Sequence, residues 1–123
     1  MILLDTNIFI EIYRDNVAIA SIVDSIAEIA VCDVVRAELF YGARNKFELK
    51  EISKDLEGLH NLHLSAHISK MAVDLVKNYS LSHKLEFADA LIAATAIIYN
   101  VEIFTLNRKD FVYIPNLKLY EPE

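Results

Sequence analysis

Three carboxylates far apart in the chain, Asp5, Glu38 and Asp89, stand where an acid is informative, and Asp110 is a fourth candidate. Asp5 ends the apolar run Met1-Ile2-Leu3-Leu4. Glu38 lies among Ala37, Leu39 and Phe40, which favours a half-buried acid. Asp89 interrupts Phe87-Ala88-Asp89-Ala90-Leu91-Ile92, where a bare charge is costly without a partner or an ion. Ionised carboxylates gathered in one small site repel and raise one another's pKa unless a cation compensates them. All-oxygen donors suit Mg²⁺ or Mn²⁺ rather than zinc. Such an ion lowers the pKa of a bound water and clamps a phosphate oxygen. The natural reaction class is metal-assisted hydrolysis of a phosphodiester. Asp5 and Asp89 would be the primary ligands, and Glu38 would complete the site or position the attacking water.

Plainer readings exist beside these. Asp5-Thr6-Asn7 are all good helix-capping residues, and Asp33, which ends another apolar run, is a candidate cap for the segment from Val34 onward. Glu86 could extend the metal site, but an acid in the first turn of a helix is also favoured by the helix dipole.

The elements that must position these residues follow from the apolar pattern. Short strand-type runs occupy 1–4, 29–32, 62–64 and 101–106, with a last edge strand at 118–120. Helical patterns cover 8–14, 17–29, 34–45, 46–59, 68–79 with Ser65 as its cap, and 87–99. Strands alternating with helices predict a three-layer α/β/α sandwich with a mainly parallel central sheet, in a single domain spanning 1–123. Ligands in open α/β sheets bind beyond the carboxyl ends of the strands. Asp5 ends the first strand, Glu38 opens the helix after the second, and Asn107 and Asp110 follow the strand 101–106. The helix 87–99 runs back roughly 18 Å before that strand, which returns Asp89 to the same rim.

Composition narrows the alternatives. The chain has 123 residues, 54% of them hydrophobic, enough for a substantial core. Its 12 Lys and Arg against 18 Asp and Glu give a formal charge of −6. Only Gly42 and Gly58 are present, so neither a dinucleotide fingerprint nor a P-loop can be written. The longest uncharged stretch, 90–101, falls well short of the ~20 residues a membrane-spanning helix needs. The N-terminus lacks the basic region of a secretion signal, and the lone Cys32 has no intrachain partner, which points to the cytoplasm. A mean hydropathy of +0.30 implies apolar surface covered by a second copy or another protein.

The remaining polar residues are less telling. His60, His63 and His67 lack the cysteine or HExxH context of a zinc site, and His83 reads as a solvated loop residue. Arg36, Arg44, Lys46, Lys50, Arg108 and Lys109 concentrate positive charge near the candidate acids despite the acidic total; Arg36 and Arg108 are candidate phosphate contacts. A phosphoacceptor domain would want paired acids after the first strand, and a dehalogenase-like phosphatase Asp-x-Asp; here Thr6-Asn7 follows Asp5.

Four segments, in order, resemble PIN-domain nucleases of the size of VapC-type toxins from prokaryotic toxin–antitoxin modules. They are Leu4-Asp5-Thr6-Asn7, Ala37-Glu38-Leu39-Phe40-Tyr41-Gly42, Ala88-Asp89-Ala90-Leu91-Ile92-Ala93-Ala94-Thr95-Ala96 and Thr105-Leu106-Asn107-Arg108-Lys109-Asp110-Phe111. The resemblance implies a Mg²⁺- or Mn²⁺-dependent endoribonuclease, homodimeric and held inactive by a cognate antitoxin. It implies cleavage to a 5′-phosphate and a 3′-hydroxyl. Asp5, Glu38 and Asp89 match the family's acidic triad. The usual fourth acidic or polar position falls on Asn107, with Asp110 three residues on. Thr6 and Thr105 match hydroxyl positions near metal and phosphate, with Asn7, Asn107 and Arg108 as further substrate contacts. In the family the early helices, here 8–14 and 17–29, help form the antitoxin groove or the dimer. The competing expectation is a non-catalytic PIN-like interaction module.

Overall fold

The computed structural model describes residues 1–122. Four short strands, β1 (Ile2–Leu4), β2 (Ile29–Cys32), β3 (His60–Leu62) and β4 (Glu102–Phe104), alternate with six helices. These are α1 (Thr6–Tyr13), α2 (Val17–Asp24), α3 (Asp33–Tyr41), α4 (Lys46–Leu56), α5 (Ala66–His83) and α6 (Phe87–Tyr99). A single 3₁₀ turn, Arg108–Asp110, follows β4. Helix starts are set by side-chain caps, as Asn16, Asn45 and Ser65 accept from the amides of Ile19, Glu48 and Ile68. α6 ends where Asn100 turns left-handed at φ 55°.

The sheet order is β3-β2-β1-β4 and every pair is parallel, in keeping with the expected α/β architecture. β1 is central, with Leu3 opposite Ala30 on one side and Ile103 on the other. The chain steps outward from β1 through β2 to β3, then crosses back to lay β4 on the far side of β1. With the right-handed crossovers that parallel strands follow, this order places α1–α4 over one face and α5–α6 over the other. The direction of winding therefore reverses between β1 and β4, which makes their carboxyl ends the switch point.

The core joins Leu3, Leu4, Val31, Cys32 and Ile103 of the sheet to Ile8, Val35, Ile68 and Ile92 of the helices. α6 is buried without interruption from Ala90 to Ala96, its alanines allowing close approach on all sides. Buried Thr95 satisfies its hydroxyl on the Leu91 carbonyl at 2.7 Å.

Several boundaries differ from the sequence reading. The helix expected over 17–29 stops at Asp24, where Ser25 turns its hydroxyl back to the Ile22 carbonyl at 2.6 Å; Ile26 reaches the core from a turn. The helix expected over 34–45 ends at Tyr41 with Gly42 as its cap. β3 lies at His60–Leu62 rather than 62–64, because Leu64 is exposed and the ladder pairs His60 with Ala30. The segment 118–120 makes one parallel bridge, Leu119 to Ile103, instead of a strand.

Candidate active site

Asp5 sits at the switch point, only 6% exposed, as both the last residue before α1 and its N-cap. One carboxylate oxygen accepts from the Thr6 amide at 2.8 Å; the other accepts from the Thr105 hydroxyl at 2.8 Å. Asn7 braces the pair. Its amide nitrogen lies 3.4 Å from both Asp5 and Thr105, and its oxygen accepts from the Leu106 amide at 3.3 Å. Burial raises the Asp5 pKa, the Thr105 and Thr6 bonds lower it, and the charges of Glu38 and Asp110 raise it again; the net direction is upward. Buried Thr105 and half-buried Asn7, both expected as substrate contacts, thus spend polar atoms on holding Asp5.

Glu38 rises from the second turn of α3 and accepts the Thr6 hydroxyl at 2.7 Å. It is exposed rather than half-buried, because sequence neighbours on a helix point about 100° apart: Leu39 and Phe40 turn toward the core, whereas Ala37 and Glu38 face out. Asp89 projects from the first turn of α6, half-buried. Its pKa is pushed up to about 6, first by burial and then by the charges of Asp5, Glu38, Asp110 and Glu86. Asp110, closing the 3₁₀ turn, therefore lies within electrostatic reach of both Asp5 and Asp89. Glu86 is the exposed N-cap residue of α6 and makes no capping bond through its side chain.

Other candidates lie elsewhere. Asn107 is exposed, and its amide donates to the Thr105 hydroxyl at 3.1 Å. Arg108 points toward the C-terminal segment, pairing with Glu121 and the Tyr120 carbonyl. Arg36 pairs with Asp33 at 3.5 Å and stands over the Phe40 ring. His63 bonds to Asp33 at 2.9 Å, and His60 lies 4.0 Å from Glu28. Nothing in the spacing points to Tyr113, whose phenol pKa is raised first by burial and then by Asp110 and Asp89; it occupies an aperiodic segment.

Among the described residues, none of the ion pairs involves Asp5, Glu38, Asp89 or Asp110. Nor do any three Asp, Glu, His or Cys side chains stand close enough to enclose an ion as they are. The rim is thus an uncompensated cluster of oxygen donors, open rather than closed. That donor chemistry fits a hard divalent cation. Beside Thr6 and Glu38 opens a cleft of about 380 Å³ between α1, α3 and α4, walled by Ile10, Tyr13, Leu39 and Ile52.

The family model of the PIN domain matches residues 2–116, and the chain belongs to the PIN-domain family. It is 30% identical to ribonuclease VapC19 of Mycobacterium tuberculosis across 96% of this chain and 98% of that protein. Among solved structures, it superposes on a chain of a toxin–antitoxin complex from Klebsiella pneumoniae with a TM-score of 0.83. That pair shares 26% identity over 100% of this chain and 98% of the other. A chain of VapBC2 from Rickettsia felis, solved bound to a DNA fragment from its promoter, gives 0.81 at 30% identity, covering 98% of each. Among the described residues no helix is long and apolar enough to cross a membrane.

Proposed function

We propose that this chain is an endoribonuclease that hydrolyses RNA phosphodiester bonds, the toxin of a toxin–antitoxin pair restrained by a protein antitoxin. The observation that carries the reading is the gathering of Asp5, Glu38, Asp89 and Asp110 at the β1/β4 switch point with no cation paired to them. The relatives named above support it. Asp5, Glu38 and Asp89 would hold Mg²⁺ or Mn²⁺, and Asp110 would fill the fourth acidic place, with Asn107 capping its turn. When bound, such a cation would supply Lewis acidity, lowering the pKa of a water and offsetting charge on the phosphate and leaving oxygens. The Thr105 hydroxyl and Thr6 amide fix the Asp5 carboxylate, and the Thr6 hydroxyl holds Glu38, which would complete the site or position a water. The products carry a 5′-phosphate and a 3′-hydroxyl. The chain acts as one domain in the cytoplasm and pairs as a homodimer. Exposed Ile10, Tyr13 and Val17 offer apolar surface that needs a protein partner.

The test is cleavage of total and transfer RNA by the purified chain in EDTA, Mg²⁺ or Mn²⁺, with Asp5→Ala and Asp89→Asn as controls. Metal-dependent cutting lost in both folded variants is the expected result. No cutting under any metal, together with no metal binding by calorimetry, would overturn the reading in favour of a non-catalytic interaction module.

A further inference from the structure

α5 ends in His83, a helical residue rather than a loop one, and its imidazole lies flat against the ring of Tyr113. The ring centroids are 3.8 Å apart and the planes differ by 14°. Tyr79, one turn earlier on α5, packs against both, at 5.9 Å and 68° to His83 and at 5.2 Å and 55° to Tyr113. The Ser82 hydroxyl lies 2.7 Å from His83 Nδ1 and fixes the rotation of the imidazole. Three rings from two distant segments are therefore ordered against one another in the chain as it stands.

The cluster borders the carboxylate rim. Tyr113 follows Asp110 by three residues and feels the charge of both Asp110 and Asp89. Tyr79 and Tyr113 are half-buried against the core, whereas His83 stays exposed although Tyr113 covers one of its faces. The acids beside the rings disfavour a phosphate or carboxylate there. A neutral flat ring fits.

We propose that His83, seated on Tyr113, is a stacking platform for an unpaired nucleobase of the RNA next to the bond that is cut. The inference rests on the ribonuclease reading above and adds a substrate preference to it. Bases in single strands and loops can be splayed onto aromatic faces, while bases in a duplex have both faces covered. The platform therefore selects unpaired RNA at one nucleotide beside the scissile phosphate, and tolerates several bases there, since every base has a π-face.

The test uses the full chain and a single-stranded RNA oligonucleotide carrying 2-aminopurine at successive positions around the cleavage site. Wild type, His83→Ala, His83→Leu and His83→Phe are compared for kcat, KM and quenching of the fluorophore; thermal melts check that each is folded. Losing one base–aromatic stack should raise KM ~5- to 10-fold in His83→Ala and His83→Leu, with kcat within ~2-fold. His83→Phe should restore KM, and quenching should be strong at one position and lost in His83→Leu. A His83→Leu enzyme with wild-type KM, or failure of His83→Phe to restore it, would overturn the platform while wild-type cleavage leaves the ribonuclease reading standing. Absence of both cleavage and quenching in the wild type would overturn both.

Discussion

Asp5 and Asp33 occupy matching places: each follows a parallel strand directly, and β1 and β2 are neighbours. Their surroundings are opposite. Asp33 accepts from the Leu64 amide at 2.9 Å, bonds to His63 at 2.9 Å and faces Arg36 at 3.5 Å. Burial alone would push its carboxyl up, but the Leu64 amide, His63 and Arg36 more than offset that and hold it below the usual range. Among the described residues no cation pairs with Asp5, and burial with two acidic neighbours takes it upward despite its hydrogen bonds. The difference lies in topology. β2 borders the edge strand β3, whose exit brings an amide and an imidazole to Asp33. β1 borders β4 across the switch, where Thr105, Asp110 and the start of α6 bring hydroxyl and acids. A strand-end aspartate becomes a tie in one case and part of a charged site in the other.

The largest expected effect separates the two on cleavage. Asp5→Ala should reduce RNA cleavage by ~10³-fold or more, about 4 kcal/mol of transition-state stabilisation, with the fold retained. Asp33→Ala should leave kcat/KM within ~3-fold of wild type, since its partners lie off the rim. Equal losses in a gel-based cleavage assay would erase the distinction.

Stability should move the other way. Asp89 has a folded pKa of about 6 against 3.8 unperturbed, so the folded chain binds the proton more tightly. In EDTA, unfolding free energy should fall as pH rises from about 4 to about 6, then level off; allowing for partial exposure, the drop is about 1–2 kcal/mol. Asp89→Asn should remove that slope and stabilise the metal-free chain at pH 7 by a similar amount, while abolishing cleavage. Asp33 has the opposite sign. Its contribution is present above the unfolded value near 3.8 and is lost as pH falls through the lower folded value. Asp33→Ala should therefore cost about 1 kcal/mol at pH 7, and less in strong acid. Urea unfolding between pH 3 and 8 measures both slopes. Saturating Mg²⁺ should raise stability most above pH 6, where Asp89 is ionised, because binding to the folded state alone stabilises it.

How much of this was legible in the sequence follows from what each signal measures. α6 could be read to the residue, because its apolar run is long, and the acid that interrupts it marked Asp89. Strand ends marked Asp5. Glu38 was read as half-buried because its neighbours in sequence are apolar, but a helix turns about 100° per residue and adjacent side chains share no face. Three- and four-residue strands hold too few positions for alternation to fix a boundary, hence the displaced β3. The Asp33–His63 tie and the His83–Tyr113 stack join residues 30 positions apart in sequence, and local pattern carries no trace of such pairings.

The smallest predicted effect tests what makes Asp33 a tie. His63 is 65% exposed at its side chain, so its bond to Asp33 is a solvent-exposed contact, worth ~0.5 kcal/mol or less. The Leu64 amide bond crosses from α3 to the exit of β3 and fixes the backbone itself. His63→Gln should therefore shift the urea midpoint by a small fraction of what Asp33→Ala does, and leave cleavage unchanged. A shift in His63→Gln as large as in Asp33→Ala would mean that the imidazole, rather than the amide, closes the β2–β3 end of the sheet. The contrast with Asp5 would then be one of charge pairing alone, not of backbone anchoring.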